Sequence, residues 1–253
     1  MKIALFADVH SNLEALQACL AHAGREGAGM QVFLGDLVGY GADPVGCLAL
    51  IAKYAERGAL LVRGNHDDAA LGGLCEYMNP IAREAIYWTR AQLGAEHRAF
   101  LSTLPMTTRR GDLLFVHASA NMPGNWTYIS GKRQAALCMD AADAAISFVG
   151  HVHTQMLYAS ANLVPGNFST AAQEFVPTPG VAIPLTASRH WLAIAGSVGQ
   201  PRVAGNAAAY ALFDEEQRML TFFRVPYDYQ AAARRIIAAG LPEQLAWQLE
   251  WGG

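Results

Sequence analysis

The sequence predicts an α/β fold: parallel strand–helix–strand units at the N-terminus, an antiparallel region after them, and two closing helices. Two observations carry this. Over residues 2–67, apolar runs of strand length alternate with helical patterns, and strands joined by such crossovers pair in parallel. After residue 155 the apolar runs are short and separated by Pro/Gly turns, which reads as antiparallel pairing.

Taken in order, KIALFA (2–7) is a strand without polar alternation, as expected of one covered on both faces. NLEALQACLAHAG (12–24) reads as a helix that Ser11 or Asn12 can cap and Gly24 can close. MQVFLGD (30–36) is a second strand. DPVGCLALIAKYAERG (43–58) is a second helix, with Asp43 as cap and Pro44 in its first turn. ALLVRGNHD (59–67) is a third strand running into a loop. Residues 68–104 carry no strand pattern. They read as a helical insertion of three segments, 68–78, 80–93 and 95–104.

TTRRGDLLFVHAS (107–119) predicts a hairpin turning through Arg110-Gly111-Asp112, followed by a helix near 131–141 and a strand in AAISFVGHVH (144–153). NLVPGN (162–167), HWLAIAGS (190–197), AYALFD (209–214) and MLTFFRV (219–225) belong to the antiparallel region, and helices over 227–239 and 242–250 end the chain. A length of 253 residues suits a single domain over 1–253 with a sizeable core.

Composition narrows the class. With 53% hydrophobic and 15% charged residues the chain is globular. A formal charge of −3 and the lack of basic runs argue against general nucleic-acid or membrane-surface binding. The apolar run at the N-terminus breaks at Asp8, too early for a signal peptide, and no stretch approaches the ~20 apolar residues of a membrane span. Cys19, Cys47, Cys75 and Cys138 are scattered without a C-x-x-C pair, so they read as reduced core thiols of a cytoplasmic protein.

The apolar strands share a feature that core packing does not require: they end in metal-ligand residue types. The first leads into Asp8-Val9-His10, the second into Gly35-Asp36, and the third into Gly64-Asn65-His66-Asp67. LLFVHAS delivers His117, and SFVGHVH delivers His151 and His153. Ligands in open α/β sheets gather beyond the carboxyl ends of strands, so these residues can share one cleft. Imidazole and carboxylate together suit divalent manganese, iron, zinc, nickel or cobalt, and the two oxygens of Asp36 can bridge a pair of ions. Two such ions clamp a phosphoryl group and turn water into hydroxide near neutral pH. Gly35, Gly64 and Gly150 stand beside the ligands, where a missing Cβ permits close approach. Alone, Asp8-x-His10 is equally what ends a strand and caps a helix; the four other blocks set it apart.

The series D-x-H, GD-x-x-x-x-G (35–41), GNHD, a lone strand-end His and GHVH, all between residues 8 and 153, resembles the calcineurin-like metallophosphoesterases in order and composition. The resemblance implies a four-layer αββα sandwich of two mixed sheets, the N-terminal parallel strands forming one sheet and the strands after 155 much of the other. It implies that Asp8, His10, Asp36 and His153 hold one metal, and Asp36, Asn65, His117 and His151 the other. His66 is then catalytic, protonating the leaving oxygen or stabilising its charge, with Asp67 orienting a neighbour. Ala118, where many relatives have Gly, and Asp67, where Glu is frequent, depart from the pattern without removing a ligand.

The short length and the insertion after GNHD are similar to a bacterial and archaeal subgroup of phosphodiesterases and diadenosine polyphosphate hydrolases. AGSVGQPR (195–202) resembles a segment of that subgroup that offers Ser197 and Arg202 to phosphate; Asn12, Tyr40, Arg63 and Tyr128 complete the candidate substrate-binding residues. Tyr40, Asn79, Trp88, Trp126 and Tyr128 are candidates for a nucleobase pocket, with ordinary packing as the competing reading. The function these features imply is dinuclear metal-dependent hydrolysis of a small phosphate ester or anhydride, a nucleotide such as diadenosine tetraphosphate first. A phosphoprotein phosphatase is the alternative, and a non-enzymatic scaffold of the same fold is a third reading that the complete ligand set opposes.

Overall fold

The computed structural model describes residues 1–160 and 172–251. The N-terminal elements follow the expected order: β1 (Lys2–Phe6), α1 (Leu13–Arg25), β2 (Met30–Phe33), α2 (Pro44–Ala55) and β3 (Leu60–Leu61), with β1, β2 and β3 paired in parallel. Of the two possible caps of α1, Asn12 serves: its Oδ1 accepts from Ala15 N at 3.1 Å. The helix runs through Gly24 to Arg25, and the chain turns at Gly27 (φ +82°) rather than at Gly24. Asp43 caps α2 as expected, accepting from Gly46 N at 2.9 Å.

The third strand is shorter than predicted, because Val62 to Gly64 already turn toward the site. The insertion holds α3 (Asn65–Ala70), α4 (Pro80–Gln92) and α5 (Ala95–Ser102). Its first helix stops at Ala70, well short of residue 78, because glycines at 72 and 73 leave the helix, Gly72 with φ +108°.

β4 (Thr107–Arg110) and β5 (Leu113–Val116) form the predicted hairpin, followed by α6 (Lys132–Ala142) and β6 (Ile146–Val149). The remaining elements are β7 (Met156–Ser160), β8 (Gln173–Phe175), β9 (Ala182–Pro184), β10 (His190–Ile194), β11 (Ala207–Asp214), β12 (Met219–Pro226), α7 (Tyr229–Ala238) and α8 (Glu243–Trp251). The expected strand NLVPGN lies outside the described residues.

The described strands form two six-stranded mixed sheets, β3-β2-β1-β11-β12-β9 and β4-β5-β6-β10-β7-β8. As expected, the strands after residue 155 supply much of the second sheet, where β7, β8 and β10 lie, and β9, β11 and β12 join the first. β11 pairs antiparallel with β1, while β10 pairs parallel with β6. β1 shows why the sequence lacked alternation. Ile3, Leu5 and Ala7 face the second sheet, whereas Ala4 and Phe6 face the residues of α1 and α2. The second sheet turns Phe115 and Phe148 inward and Leu114, Val116 and Val149 outward onto α6. The result is the αββα sandwich. α4, α7 and α8 form a separate apolar cluster at the edge of the site. No helix among the described residues is long and apolar enough to cross a membrane.

Phe148 joins the two sheets. Its ring stacks on Phe115 at 5.6 Å and meets Phe213 of the opposite sheet at 5.5 Å, with no solvent exposure. Phe148→Ala should lower unfolding free energy by about 3–5 kcal/mol, read from urea denaturation. A loss under about 1 kcal/mol would show that the inter-sheet core repacks around the cavity.

Candidate metal centre

The strand ends that carry ligand residue types come from both sheets. β1, β2 and β3 deliver Asp8, Asp36 and Asn65; β5 and β6 deliver His117, His151 and His153. Backbone bonds lace the loops together: Asp8 N donates to Gly35 O, His10 N to Asp36 O, and Gly150 N to His117 O, at 2.9–3.1 Å. The residue after each strand turns sharply. Asp8, His10, Asp36, His151 and His153 all have left-handed φ, between +47° and +67°. Such a conformation costs an L-residue roughly 1–2 kcal/mol, though Asp and His bear it better than most. Gly64 gives the clearance: a Cβ there would overlap Asp36 Oδ1.

All seven predicted ligands are buried and converge. The donor atoms fall into groups within 4.8 Å: Asp8, His10 and His153; Asp36, His117 and His151; and a third joining His10, Asp36 and His66. Asn65 Oδ1 lies 3.1 Å from His117 Nε2. Asp36 Oδ2 faces both halves of the cluster, 3.3 Å from His117 Nε2 and 3.7 Å from His10 Nε2.

The outward nitrogens fix what the inward ones can do. His10 Nδ1 meets Val38 O (3.2 Å), His153 Nδ1 meets Gln200 O (2.7 Å), His117 Nδ1 meets Leu34 O (2.7 Å) and His151 Nε2 meets Trp126 O (2.9 Å). A carbonyl only accepts, so each of these nitrogens carries a ring proton and donates it; in the neutral ring this leaves a bare lone pair pointing inward. Two bare nitrogens then face each other at 3.1 Å (His10 and His153) and two at 3.2 Å (His117 and His151), among carboxylate and amide oxygens. No neutral ring can bond to another in this arrangement. Acceptors crowded like this need cations between them, and nitrogen with carboxylate is a donor set that divalent transition metals take readily.

The electrostatics separate the rings. Burial pushes His10 well down and His151 down to about 3, so both are neutral ligand forms. His117 is opposed by burial, yet the Asp36 carboxylate and its hydrogen bond hold it up at about 9, so without a cation it carries a second proton that a bound cation would displace. Burial likewise opposes ionisation of Asp36, but the His117 and His66 rings around it keep its carboxyl well below the usual range.

His66 stands apart from the seven. Its backbone N–H donates to Asp36 Oδ1 at 2.8 Å, its ring lies edge-on to His10 at 4.7 Å and against Tyr40 at 4.5 Å, and its Nδ1 is buried without a partner. Burial pushes this imidazole down to about 4.

Asp67, named beside His66 in the sequence as a residue that orients a neighbour, faces backbone. Oδ1 accepts from Leu37 N (2.8 Å) and Val38 N (3.2 Å), and Oδ2 from Gly64 N (2.9 Å). It ties the Asp36 loop to the Asn65 loop and is a positioning residue.

The predicted substrate-binding residues divide. A cleft of about 190 Å³ opens beside His66, Asn65 and His151, with Tyr40 and Tyr128 in its walls. Tyr128 is half exposed and stacks on His151 at 3.9 Å. Asn79 and Trp126 also line it, whereas Trp88 packs against the helical cluster. Arg202 lines an adjoining hollow of about 400 Å³.

Three others are held elsewhere. Asn12 caps α1 and donates to Gly199 O (3.0 Å). Ser197 donates to Asp8 O (2.9 Å) and accepts from Gln200 N (2.8 Å). Arg63 donates to Ser102 O (2.7 Å) and pairs with Asp68. The three placements share a feature: each side chain fastens a loop, and Arg63 keeps only a buried Nε without a partner among the described residues. Sequence reasoning missed Tyr77, Met78 and Asn125 in the cleft. Nothing in their local pattern marks them, since they arrive from two separate loops.

Comparison with known proteins agrees with this geometry. The family profile described as calcineurin-like phosphoesterase matches residues 1–155. An uncharacterised protein of Methanocaldococcus jannaschii is 34% identical over 260 residues, spanning 99% of this chain and 98% of that protein. A crystal structure of a metallophosphoesterase from Sphaerobacter thermophilus is 38% identical with a TM-score of 0.86, covering 100% of both chains. A hypothetical protein from Pyrococcus horikoshii shares the fold at a TM-score of 0.78 and 19% identity, over 100% of this chain and 98% of that one.

An acceptor cluster that needs cations makes stability depend on metal. Mn²⁺ at about 100 times its Kd should stabilise the protein by about 2.7 kcal/mol, seen as a higher Tm than in chelator. Gly64→Ala should abolish the metal-induced shift by displacing Asp36. Equal Tm values for wild type with and without Mn²⁺ would contradict a cation site.

Proposed function

Because the chain belongs to the calcineurin-like phosphoesterase family, we propose that it hydrolyses a phosphate ester or anhydride in a small molecule, with nucleotides as the favoured class. The observation that carries this reading is the set of inward-facing acceptor nitrogens and carboxylate oxygens beside an open cleft. Asp8, His10, Asp36 and His153 would hold one divalent ion, and Asp36, Asn65, His117 and His151 a second; the shared position of Asp36 Oδ2 supports the pairing. Bound there, two ions of manganese, iron, zinc, nickel or cobalt supply Lewis acidity and a nucleophilic water near neutral pH.

The chain's own residues supply the rest. His66 lines the cleft next to the Asp36 group. Neutral in the free protein, it offers one N–H to a phosphoryl or leaving oxygen. The negative charge of a bound phosphate raises its pKa toward the range a general acid needs. Tyr40, Tyr77, Trp126 and Tyr128 give the cleft aromatic walls, which suit a planar base. Tyr77 and Asn79 from the insertion and Asn125 to Tyr128 opposite hem it in. That favours a small molecule over the protein segment that a phosphoprotein phosphatase must admit. The complete ligand set supports an enzyme over a scaffold. Four buried cysteines without disulfides fit the reducing cytoplasm.

The test is product analysis. Mn²⁺-loaded protein is incubated with diadenosine tetraphosphate and, in parallel, with a phosphopeptide, against chelated controls. Metal-dependent nucleotide products are expected: two ADP for symmetrical cleavage, or ATP and AMP for attack nearer one end. His66→Ala should lower kcat by roughly 10²–10⁴-fold with metal content unchanged. Undiminished kcat in that variant would remove His66 from the chemistry. Turnover of the phosphopeptide alone would favour the phosphatase.

A further inference from the structure

The cleft beside the metal centre continues past Tyr40 and Asn79, which line both it and the hollow of about 400 Å³ next to it. Among the described residues no Asp or Glu lines either space, and Arg202 is the one Lys or Arg that does. Arg63, Arg110 and Arg235 pair with carboxylates. Arg202, by contrast, is exposed and makes no ion pair or side-chain hydrogen bond among the described residues. Arg202 lines the hollow together with Tyr40 and Asn79, the two residues that this space shares with the cleft.

Its loop is anchored firmly. Val198 N donates to Ala7 O and Gly199 N to Asp8 O, both at 2.9 Å, and the Gln200 carbonyl accepts from His153 Nδ1 at 2.7 Å. Pro201 then fixes the backbone one residue before Arg202. The backbone of this cation is thus tied to the metal cluster while its head is left free.

We propose that Arg202 is a subsite for a second phosphoryl group, the one next to the group under attack, and that it selects nucleotides carrying a phosphoanhydride chain. The inference rests on the phosphoesterase reading above and names its substrate class. An unpaired guanidinium on a tethered loop, in a space without carboxylates, suits bidentate capture of phosphate. Tyr40 and Tyr128, between it and the metal ligands, lie along the path a substrate would span. In ADP, the water oxygen bonds to the terminal phosphorus and the P–O–P bond breaks. The bridging oxygen leaves with the bonding pair and takes up a proton, giving AMP and orthophosphate without a co-reactant.

The experiment compares kcat/KM for ADP and for bis(p-nitrophenyl) phosphate, an ester with one phosphoryl group, in Mn²⁺-loaded full-length wild type, Arg202→Ala and Arg202→Lys. In Arg202→Ala the ADP to bis(p-nitrophenyl) phosphate ratio should fall at least about tenfold, mainly through KM, with partial recovery in Arg202→Lys. Calorimetric binding of α,β-methylene-ADP should weaken in Arg202→Ala more than binding of AMP does. An unchanged ratio overturns the assignment. Wild-type turnover of bis(p-nitrophenyl) phosphate with ADP and diadenosine tetraphosphate untouched overturns the inference and leaves the phosphoesterase reading standing. Turnover of none of the three, with metal shown to be bound, removes that reading as well.

Discussion

The structure turns on one constraint: four imidazoles are held so that their neutral forms present bare lone pairs to one another and to two buried carboxylates. Each ring gives its proton to a backbone carbonyl, from Leu34, Val38, Trp126 or Gln200. Those four carbonyls come from three different loops, Leu34 and Val38 sharing the one between β2 and α2, so tautomer and loop position are the same piece of information. If the Val38 loop moved, His10 would lose its donor partner, and with it the reason for its Nε2 to be unprotonated. The acceptor cluster is thus written in the loops as much as in the ligands.

Holding such a cluster is unfavourable locally and needs a rigid support. Five ligand residues sit in left-handed backbone, at roughly 1–2 kcal/mol each. Mutual repulsion of the lone pairs adds to that. The opposing stabilisation lies in the sandwich. β1 is buried on both faces, and the phenylalanines at 115, 148 and 213 lock one sheet to the other. Because the ligands come from strands of both sheets, any slip between the sheets would separate His117 and His151 from Asp36. The inter-sheet core and the metal centre depend on each other through that geometry, and a bound cation stabilises both.

The convergence of the candidate ligand residues was legible in the sequence because strand ends write them as short blocks. Asp8-x-His10 or His151-x-His153 needs only one turn of the chain, so spacing carries the signal. The sheet assignment was less so. β10 and β11 both follow the same parallel units, and what sends one to β6 and the other to β1 is packing between sheets, which no local pattern records. The side chains around the cleft show the same limit. Asn12 and Arg63 are polar residues close to the ligand blocks, and Ser197 belongs to the segment 195–202 singled out by resemblance; each was a candidate for substrate contact. Their partners, Gly199 O, Ser102 O and Asp8 O, are distant carbonyls that become visible only in the fold. Conversely, Tyr77 and Asn125 arrive at one cleft from loops almost fifty residues apart.

Asp67 shows why a residue inside a ligand block need not touch the chemistry. It follows His66 directly, yet α3 turns its carboxylate inward, away from the cleft. Burial, with the negative charge of Asp36 nearby, lifts its pKa to about 7, while three backbone N–H groups favour the ionised form. The burial is unfavourable in isolation. It persists because the same carboxylate binds Leu37 and Val38 on one loop and Gly64 on the other, and Val38 is the residue whose carbonyl orients His10. Through Asp67 the placement of Asn65 and His66 is coupled to the tautomer of His10, on the opposite side of Asp36. The block is conveniently read as a run of ligands, but physically it is a hinge pin with a ligand and a proton-carrying ring beside it.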